Sequence, residues 1–215
     1  QTGMVGAYGE QLLDWLNTYT FPCESQFGDK AHADDVADIF IKELLRNGTT
    51  TALVFGSVHP QSVNSFFEAA EKLDLRMIAG KVMMDRNAPD YLTDTAESSY
   101  VESKALIERW HGKGRLHYAV TPRFAPTSTP EQLTLAGQLL TEYPDLYMQT
   151  HISENLKEIE WVKELFPERK GYLDVYDHYQ LLGERSVFAH GVHLCDDECA
   201  RLAETGSAIS FCPTS

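Results

Sequence analysis

Hydrophobic and polar positions along this chain fall into blocks that predict strands and amphipathic helices in turn. We predict strands for six mostly apolar runs, at 49–55, 76–84, 116–121, 146–152, 186–190 and 207–212. Helical periodicity and helix boundary signals place one helix before the first strand, at 32–46, and others between the strands, at 60–73, 93–111, 129–143, 155–166, 171–182 and 196–205. Because the strand runs are apolar at nearly every position, they are typical of strands buried on both faces in a parallel sheet.

Residues 1–31 do not follow this alternation. Their glycine, tyrosine and tryptophan content predicts a long loop that contains one short helix, at 12–16. The regular part of the fold is therefore expected to begin at about residue 32.

Two architectures use parallel strands that alternate with helices, the open doubly wound sheet and the eight-stranded barrel. No Gly-x-Gly-x-x-Gly follows any predicted strand, which counts against a dinucleotide-binding sheet. Polar candidate residues follow several different strands, which favours the barrel. We therefore predict an α/β fold, a (β/α)8 TIM-type barrel in one domain over residues 1–215. With about six βα units, we expect a fragment whose first and last barrel strands lie before Gln1 and after Ser215.

The composition limits the class of partner. The chain has 215 residues, of which 43% are hydrophobic and 23% charged, so it has material for one large core. A formal net charge of −14 repels nucleic acid and anionic membranes, so we expect neither as a partner. The sequence contains no run of 18 apolar residues, so it predicts no membrane span. The four cysteines form no Cys-x-x-Cys pair, which favours a reducing, cytoplasmic location over a disulfide framework.

Two histidines and a glutamate carry the clearest chemical signal. His151 and His190 each lie at the end of a predicted strand, one βα unit apart, and Glu154 follows three residues after the first. Because the carboxyl ends of parallel strands open into the same mouth, this layout is typical of a metal ion with an acid/base beside it. The alternatives are that each histidine is a hydrogen-bonded structural residue and that Glu154 caps the helix beginning near Asn155.

Longer segments then carry a resemblance to a known family. They are LLDWLNTYTFP at 12–22, NGTTTA at 47–52, GKVMMDRNAPDY at 80–91, TPRF at 121–124, THISEN at 150–155, YLDVYDHYQLL at 172–182, AHGVHL at 189–194 and CPTS at 212–215. On these segments the chain resembles the guanine deaminases of the metal-dependent amidohydrolase superfamily. The resemblance implies a (β/α)8 barrel with one zinc ion per chain, a homodimer, and hydrolysis of guanine to xanthine and ammonia.

The resemblance also assigns roles to residues. It implies that His151 and His190 bind zinc and that Glu154 carries a proton to the purine ring and then to the departing ammonia. Arg123 would bind the carbonyl side of guanine, and Phe124 would stack on the purine, with plain core packing as the alternative for Phe124. Gln1 would be the last residue of a His-x-His-x-Pro-Gln motif and would hydrogen-bond the purine edge.

The other metal ligands are then expected outside this sequence, two histidines upstream and an aspartate downstream. We accordingly expect the isolated fragment to be inactive.

Two other functions stay open at this point. One is an amidohydrolase that acts on a different aminated heterocycle, such as an s-triazine. The other is a metal-free barrel that serves as a scaffold or binding protein. The Pro-Cys-x-x-Cys motif of the nucleic-acid base deaminases is absent, since Glu-Ser-Gln follows Pro22-Cys23, so editing of nucleic acid is not expected.

Overall fold

The computed structural model describes residues 15–212. These residues divide into two compact units. The first comprises 15–82, 88–93 and 102–118, and the second comprises 83–87, 94–101 and 119–212. That one domain spans residues 1–215 stays a prediction.

The first unit begins with helical turns where the sequence predicted a loop. A π-helical turn, Leu16–Thr20, leads into helix α1 (Phe21–Ser25), a 3-10 turn (Gln26–Gly28) and helix α2 (Lys30–Arg46). The loop prediction was therefore wrong for this stretch, and residues 1–14 lie outside the described part. Burial of Leu16 and Phe21, and a proline in the first turn of α1, stabilise helical turns that composition alone does not reveal.

The strands of the first unit are parallel. Strand β1 (Thr51–Phe55) pairs with β2 (Arg76–Gly80), from Thr51 opposite Arg76 to Phe55 opposite Gly80. Strand β2 also pairs in parallel with the start of β4 (His117–Pro122), where Ile78 lies opposite His117. Helix α3 (Pro60–Glu71) connects β1 to β2 and buries the apolar face that its periodicity predicted, with Val63 and Phe67 completely inaccessible.

The predicted strand 76–84 is interrupted at Lys81. The structure has β2 and then a two-residue strand, β3 (Val82–Met83), which pairs with β4. The backbone N–H of Lys81 donates to the hydroxyl of Tyr118 (3.2 Å), and its buried ammonium donates to the carbonyl of Val58 (2.6 Å). These contacts of a buried lysine explain why an apolar pattern does not continue here as one strand.

The second unit continues the parallel arrangement. Its strands run in the order β4, β5 (Tyr147–Ile152), β6 (Ser186–His190) and β7 (Ala208–Ser210). The connecting helices are α5 (Pro130–Glu142), α6 (Leu156–Leu165), α7 (Tyr172–His178) and α8 (Asp196–Thr205). Helix α4 (Ala96–Trp110) lies between β3 and β4 in the chain, and 3-10 turns occur at Asp90–Leu92 and Ala125–Thr127. The prediction of an α/β fold with parallel strands is confirmed.

Local signals account for several of the helix ends. The Thr129 hydroxyl accepts the N–H of Gln132 (3.2 Å), which is the N-cap that the Thr-Pro pair predicted for α5. Helix α7 ends four residues earlier than predicted, because Gln180 adopts a left-handed conformation (φ 60°) and Leu181 N–H turns back to the Tyr176 carbonyl. Within residues 15–212, no helix combines the length and the apolar character needed to cross a membrane.

Candidate active site

The two histidines meet at the carboxyl ends of neighbouring strands. His151 is the penultimate residue of β5 and His190 is the last residue of β6, and Ile152 lies opposite His190 in the parallel register. Their rings stack with centroids 5.6 Å apart at an interplanar angle of 28°. The prediction that both imidazoles lie at one end of adjacent parallel strands is confirmed.

A hydrogen bond orients the imidazole of His151. Its Nδ1 lies 2.7 Å from the carbonyl oxygen of Arg123, and its backbone N–H donates to the same oxygen (3.1 Å). Because a carbonyl only accepts, Nδ1 carries the proton and the lone pair is on Nε2. Burial lowers the pKa of His151 to about 4, so the ring is neutral at pH 7. A neutral ring with one nitrogen anchored is the form in which histidine binds a metal.

The second imidazole is less enclosed. Burial lowers the pKa of His190, which again favours the neutral ring. Its Nε2 lies 3.4 Å from a carboxylate oxygen of Glu154, while its Nδ1 is buried without a hydrogen-bond partner among the described residues. A buried polar atom without a partner is uncommon in proteins. The donor chemistry of this pair therefore fits a metal ion.

Glu154 reaches this pair through a tight turn. Ser153, only 1% exposed, adopts a left-handed conformation (φ 50°) and turns the chain just after β5. The Glu154 carboxylate lies beside His190, and burial raises its pKa. The helix that follows is capped by another residue, since the side chain of Asn155 accepts the N–H of Lys157 (2.9 Å). The alternative that Glu154 caps the helix was therefore wrong.

Arg123 and Phe124 directly follow β4 in the same unit. The Arg123 carbonyl accepts both donors of His151 described above, and its guanidinium is on a half-buried side chain. Phe124 is 5% exposed and meets the ring of Trp161 edge to face, with centroids 6.3 Å apart. This packing agrees with the core-packing alternative for Phe124. Gln1, the remaining predicted substrate contact, lies outside the described residues.

A buried polar network behind the site was not anticipated. The carboxylate of Glu158 accepts hydrogen bonds from the backbone N–H groups of Glu154 (3.0 Å) and Asn155 (3.2 Å) and from the hydroxyl of Tyr172 (2.6 Å). Burial raises the pKa of Glu158, although its three donors act in the opposite direction. The Asn-x-x-Glu spacing, 155 to 158, is a capping-box signal that could have identified Glu158 from sequence.

The same network continues to β5 through a second tyrosine. The Tyr172 and Tyr176 rings stack with centroids 5.6 Å apart. The Tyr176 hydroxyl donates to the carbonyl of His151 (2.8 Å) and accepts from the Ala125 N–H (2.9 Å) and the Thr150 hydroxyl (3.1 Å). The segment after β4, the end of β5 and the start of α7 are thus linked by hydrogen bonds.

Among residues 15–212, no three histidine, cysteine, aspartate or glutamate side chains lie close enough together to form a metal site alone. The two imidazoles, with Glu154 beside one of them, therefore do not make a complete metal site within this stretch.

Comparison with known proteins gives consistent matches. The model of the amidohydrolase family matches residues 1–215. The chain is 65% identical over 215 residues to the guanine deaminase of Escherichia coli K12, covering 100% of this chain and 49% of that protein. It is 38% identical over 210 residues to human guanine deaminase, covering 95% of this chain and 45% of that protein. The chain thus spans about half the length of the relatives it matches.

Solved structures agree with the sequence matches. The E. coli guanine deaminase structure superposes with a TM-score of 0.98 at 64% identity, covering 100% of this chain and 50% of that one. The guanine deaminase of C. acetobutylicum, with guanine bound in its active site, gives 0.93 at 35% identity, covering 99% and 50%. A mutant of atrazine chlorohydrolase TrzN from Arthrobacter aurescens TC1, complexed with zinc and atraton, gives a TM-score of 0.83 at 19% identity, covering 94% of this chain and 48% of that one, and shows the fold alone. The described strands and helices match part of a TIM-type barrel, as predicted.

Proposed function

The chain belongs to the amidohydrolase family, and from that premise we propose that its full-length protein hydrolyses guanine to xanthine and ammonia with one zinc ion. The observation that carries the proposal is the pair of neutral imidazoles, His151 and His190, at adjacent strand ends with Glu154 beside them. The similarity to guanine deaminases, one of which has guanine in its active site, supports the choice of substrate.

The metal would be held in part by the two histidines. His151 presents Nε2 because its Nδ1 is anchored to the Arg123 carbonyl, and His190 has a buried nitrogen without a protein partner among the described residues. We propose that a His-x-His motif and an aspartate elsewhere in the full-length protein complete the set. When bound, zinc lowers the pKa of a coordinated water from about 15.7 to about 7 and so makes a nucleophile available at neutral pH.

Glu154 is proposed to move the protons. Deamination adds water at the ring carbon that carries the amino group, protonates the adjacent ring nitrogen, and expels ammonia, so one group must accept and return a proton. A carboxyl whose pKa is raised by burial, placed 3.4 Å from His190, is suited to both steps. Such acid/base catalysis contributes roughly 10²–10⁴-fold to a rate.

Arg123 is proposed to recognise the substrate. Its guanidinium has donors for the guanine carbonyl, while its own backbone carbonyl orients His151. One residue would then link the position of the base to the position of an imidazole. We propose that Phe124 supports this segment by packing on Trp161, and that Gln1 contributes a polar contact to the purine.

The proposed partner is therefore a small molecule, guanine. The homodimer stays a prediction from the resemblance, and the cytoplasmic location stays a prediction from the cysteine pattern.

The test uses the full-length natural chain. We expect metal analysis to find about one zinc per chain, and we expect guanine to be converted to xanthine with release of an equal amount of ammonia. Glu154→Gln should keep zinc and fold but lose at least about 10²-fold in turnover. A panel with adenine, cytosine and an aminated s-triazine tests the alternative substrates. If His151→Ala keeps a full complement of zinc, or guanine is not turned over, the proposal is wrong.

A further inference from the structure

Glu158 accepts more hydrogen bonds than helix capping requires. A capping box requires only that the N3 carboxylate accept the N–H of the N-cap residue, here Asn155 (3.2 Å). Glu158 also accepts the N–H of Glu154 (3.0 Å) and the hydroxyl of Tyr172 (2.6 Å), and it is only 3% exposed. Both carboxylate oxygens of Glu158 therefore accept hydrogen bonds, and one of these bonds comes from the backbone N–H of Glu154, the proposed proton carrier.

The turn before Glu154 requires such support. Ser153 has a left-handed backbone (φ 50°), a conformation that residues other than glycine disfavour. On one side the turn is held by the His193 N–H, which donates to the Ser153 carbonyl (3.1 Å). The N–H of the same peptide group, that of Glu154, donates to Glu158 on the opposite side (3.0 Å). The direction in which the Glu154 side chain leaves the backbone therefore depends on Glu158.

Tyr172 ties Glu158 to the strand that bears the first histidine. Its hydroxyl donates to Glu158, and its ring stacks on Tyr176 at an interplanar angle of 29°. The Tyr176 hydroxyl in turn donates to the carbonyl of His151 (2.8 Å). Because Glu158, Tyr172 and Tyr176 are all buried, a change at one of them is transmitted through packed and hydrogen-bonded groups rather than absorbed by solvent.

We propose that Glu158 is a positioning residue that holds the backbone of Glu154 against the histidine pair, and that Tyr172 orients Glu158 for this purpose. The inference rests on the proposed function, in which Glu154 moves protons. The competing explanation is that Glu158 only caps helix α6.

Glu198 provides a matched control for the glutamate. It is the capping-box glutamate of α8, where its carboxylate accepts the N–H of Cys195 (3.1 Å), and its other oxygen accepts the N–H of Leu173 (3.1 Å). Glu198→Gln thus makes the same chemical change at the same helix position as Glu158→Gln. If capping is the whole role, both substitutions should act alike.

Tyr118 provides the control for the tyrosine. It is fully buried in the first unit, and its hydroxyl accepts the N–H of Lys81 (3.2 Å). Tyr118→Phe therefore removes a buried hydroxyl as Tyr172→Phe does, but leaves Glu158 untouched. Tyr172→Phe also keeps the capping carboxylate, so the variant separates positioning from capping even if Glu158→Gln fails to fold.

The experiment measures kcat, KM, zinc content and melting temperature of the four variants in the full-length, zinc-loaded protein. It adds hydrogen exchange of peptides that cover residues 150–160. We expect kcat to fall at least about 10-fold in Glu158→Gln and about 3–10-fold in Tyr172→Phe, with KM within about 3-fold and zinc retained, since a displaced catalytic group loses rate rather than binding. Both controls should keep kcat within about 2-fold, even where their melting temperatures fall.

The outcomes separate the possibilities. If Tyr172→Phe keeps the wild-type kcat, or Glu158→Gln loses stability like Glu198→Gln without losing kcat, Glu158 is a cap and the inference is wrong. If the wild-type protein does not act on guanine, the proposed function is wrong. Hydrogen exchange then still distinguishes a positioning role of Glu158 from a capping role. Faster exchange at residues 150–160 in Tyr172→Phe than in Tyr118→Phe supports the positioning role, and equal exchange overturns it.

Discussion

Removing one hydroxyl, that of Tyr176, should destabilise the protein more than its single-atom size suggests. This hydroxyl is fully buried and takes part in three hydrogen bonds: from the Ala125 N–H, from the Thr150 hydroxyl, and to the His151 carbonyl. Tyr176→Phe keeps the ring, so the aromatic packing stays. What changes is the pairing of buried polar groups.

The size of the effect follows from which groups can find another partner. The Thr150 hydroxyl already lies 3.3 Å from the Arg123 carbonyl and can redirect its proton there. The buried Ala125 N–H loses its acceptor, and the His151 carbonyl loses the donor that Tyr176 supplies. A buried polar group left unpaired costs about 1–3 kcal/mol, so loss of the Ala125 pairing alone should lower the free energy of unfolding by about that amount. In the full-length protein this loss should lower both the melting temperature and the urea concentration at the unfolding midpoint.

Thermal or urea unfolding of the full-length protein, with zinc in excess, measures this loss. Tyr100→Phe is the control, since its hydroxyl donates to Glu142 at the surface (2.6 Å) and should change stability by no more than about 0.5 kcal/mol. If Tyr176→Phe lowers the free energy of unfolding by less than about 1 kcal/mol, or by no more than the control does, the Tyr176 hydroxyl does not stabilise the site through these three hydrogen bonds.

Three further changes test other parts of the structure. Gly137→Ala should destabilise by at least about 2 kcal/mol and lower the soluble yield, because an added Cβ would lie 2.2 Å from the Tyr179 carbonyl; Gly183→Ala, with open space around it, should not. Asn155→Ala should cost about 1 kcal/mol in unfolding experiments through loss of the α6 cap, and no loss would contradict the cap assignment. Arg123→Ala should weaken guanine affinity by roughly 1.5–3 kcal/mol with zinc content unchanged, because the carbonyl remains; unchanged affinity would place the base elsewhere.

The parts of the fold that could be predicted from sequence are those with strong local periodicity. Strand β6 was predicted with its observed bounds, and β5 within one residue. The histidine pair followed from this, since carboxyl ends of adjacent parallel strands share one edge. The order of the strands along the chain was therefore enough to predict that His151 and His190 lie together.

What could not be predicted depends on long-range contacts. The break at Lys81 arises from bonds to Tyr118 and Val58, which are 37 and 23 residues away in the chain. The helical turns at 16–28 depend on burial that composition does not record. The hydrogen bond from Tyr172 to Glu158 spans 14 residues across a helix boundary. The local sequence pattern can identify Glu158 as a capping residue, but only the fold shows that the Tyr172 hydroxyl also donates to it.

The chain segments that follow the two histidine-bearing strands, β5 and β6, both contact the start of helix α7. Each of strands β5 and β6 is followed by a helix with a capping-box glutamate, and both glutamates bond to α7: Glu158 to the hydroxyl of Tyr172 and Glu198 to the N–H of Leu173. The loops also bond to each other, since the Gly191 N–H donates to the Ile152 carbonyl (2.9 Å). The positions of the two imidazoles are therefore not independent. The bond between Gly191 and Ile152 directly links the residues next to the two histidines, so measured effects of substitutions at the ends of β5 and β6 should not add.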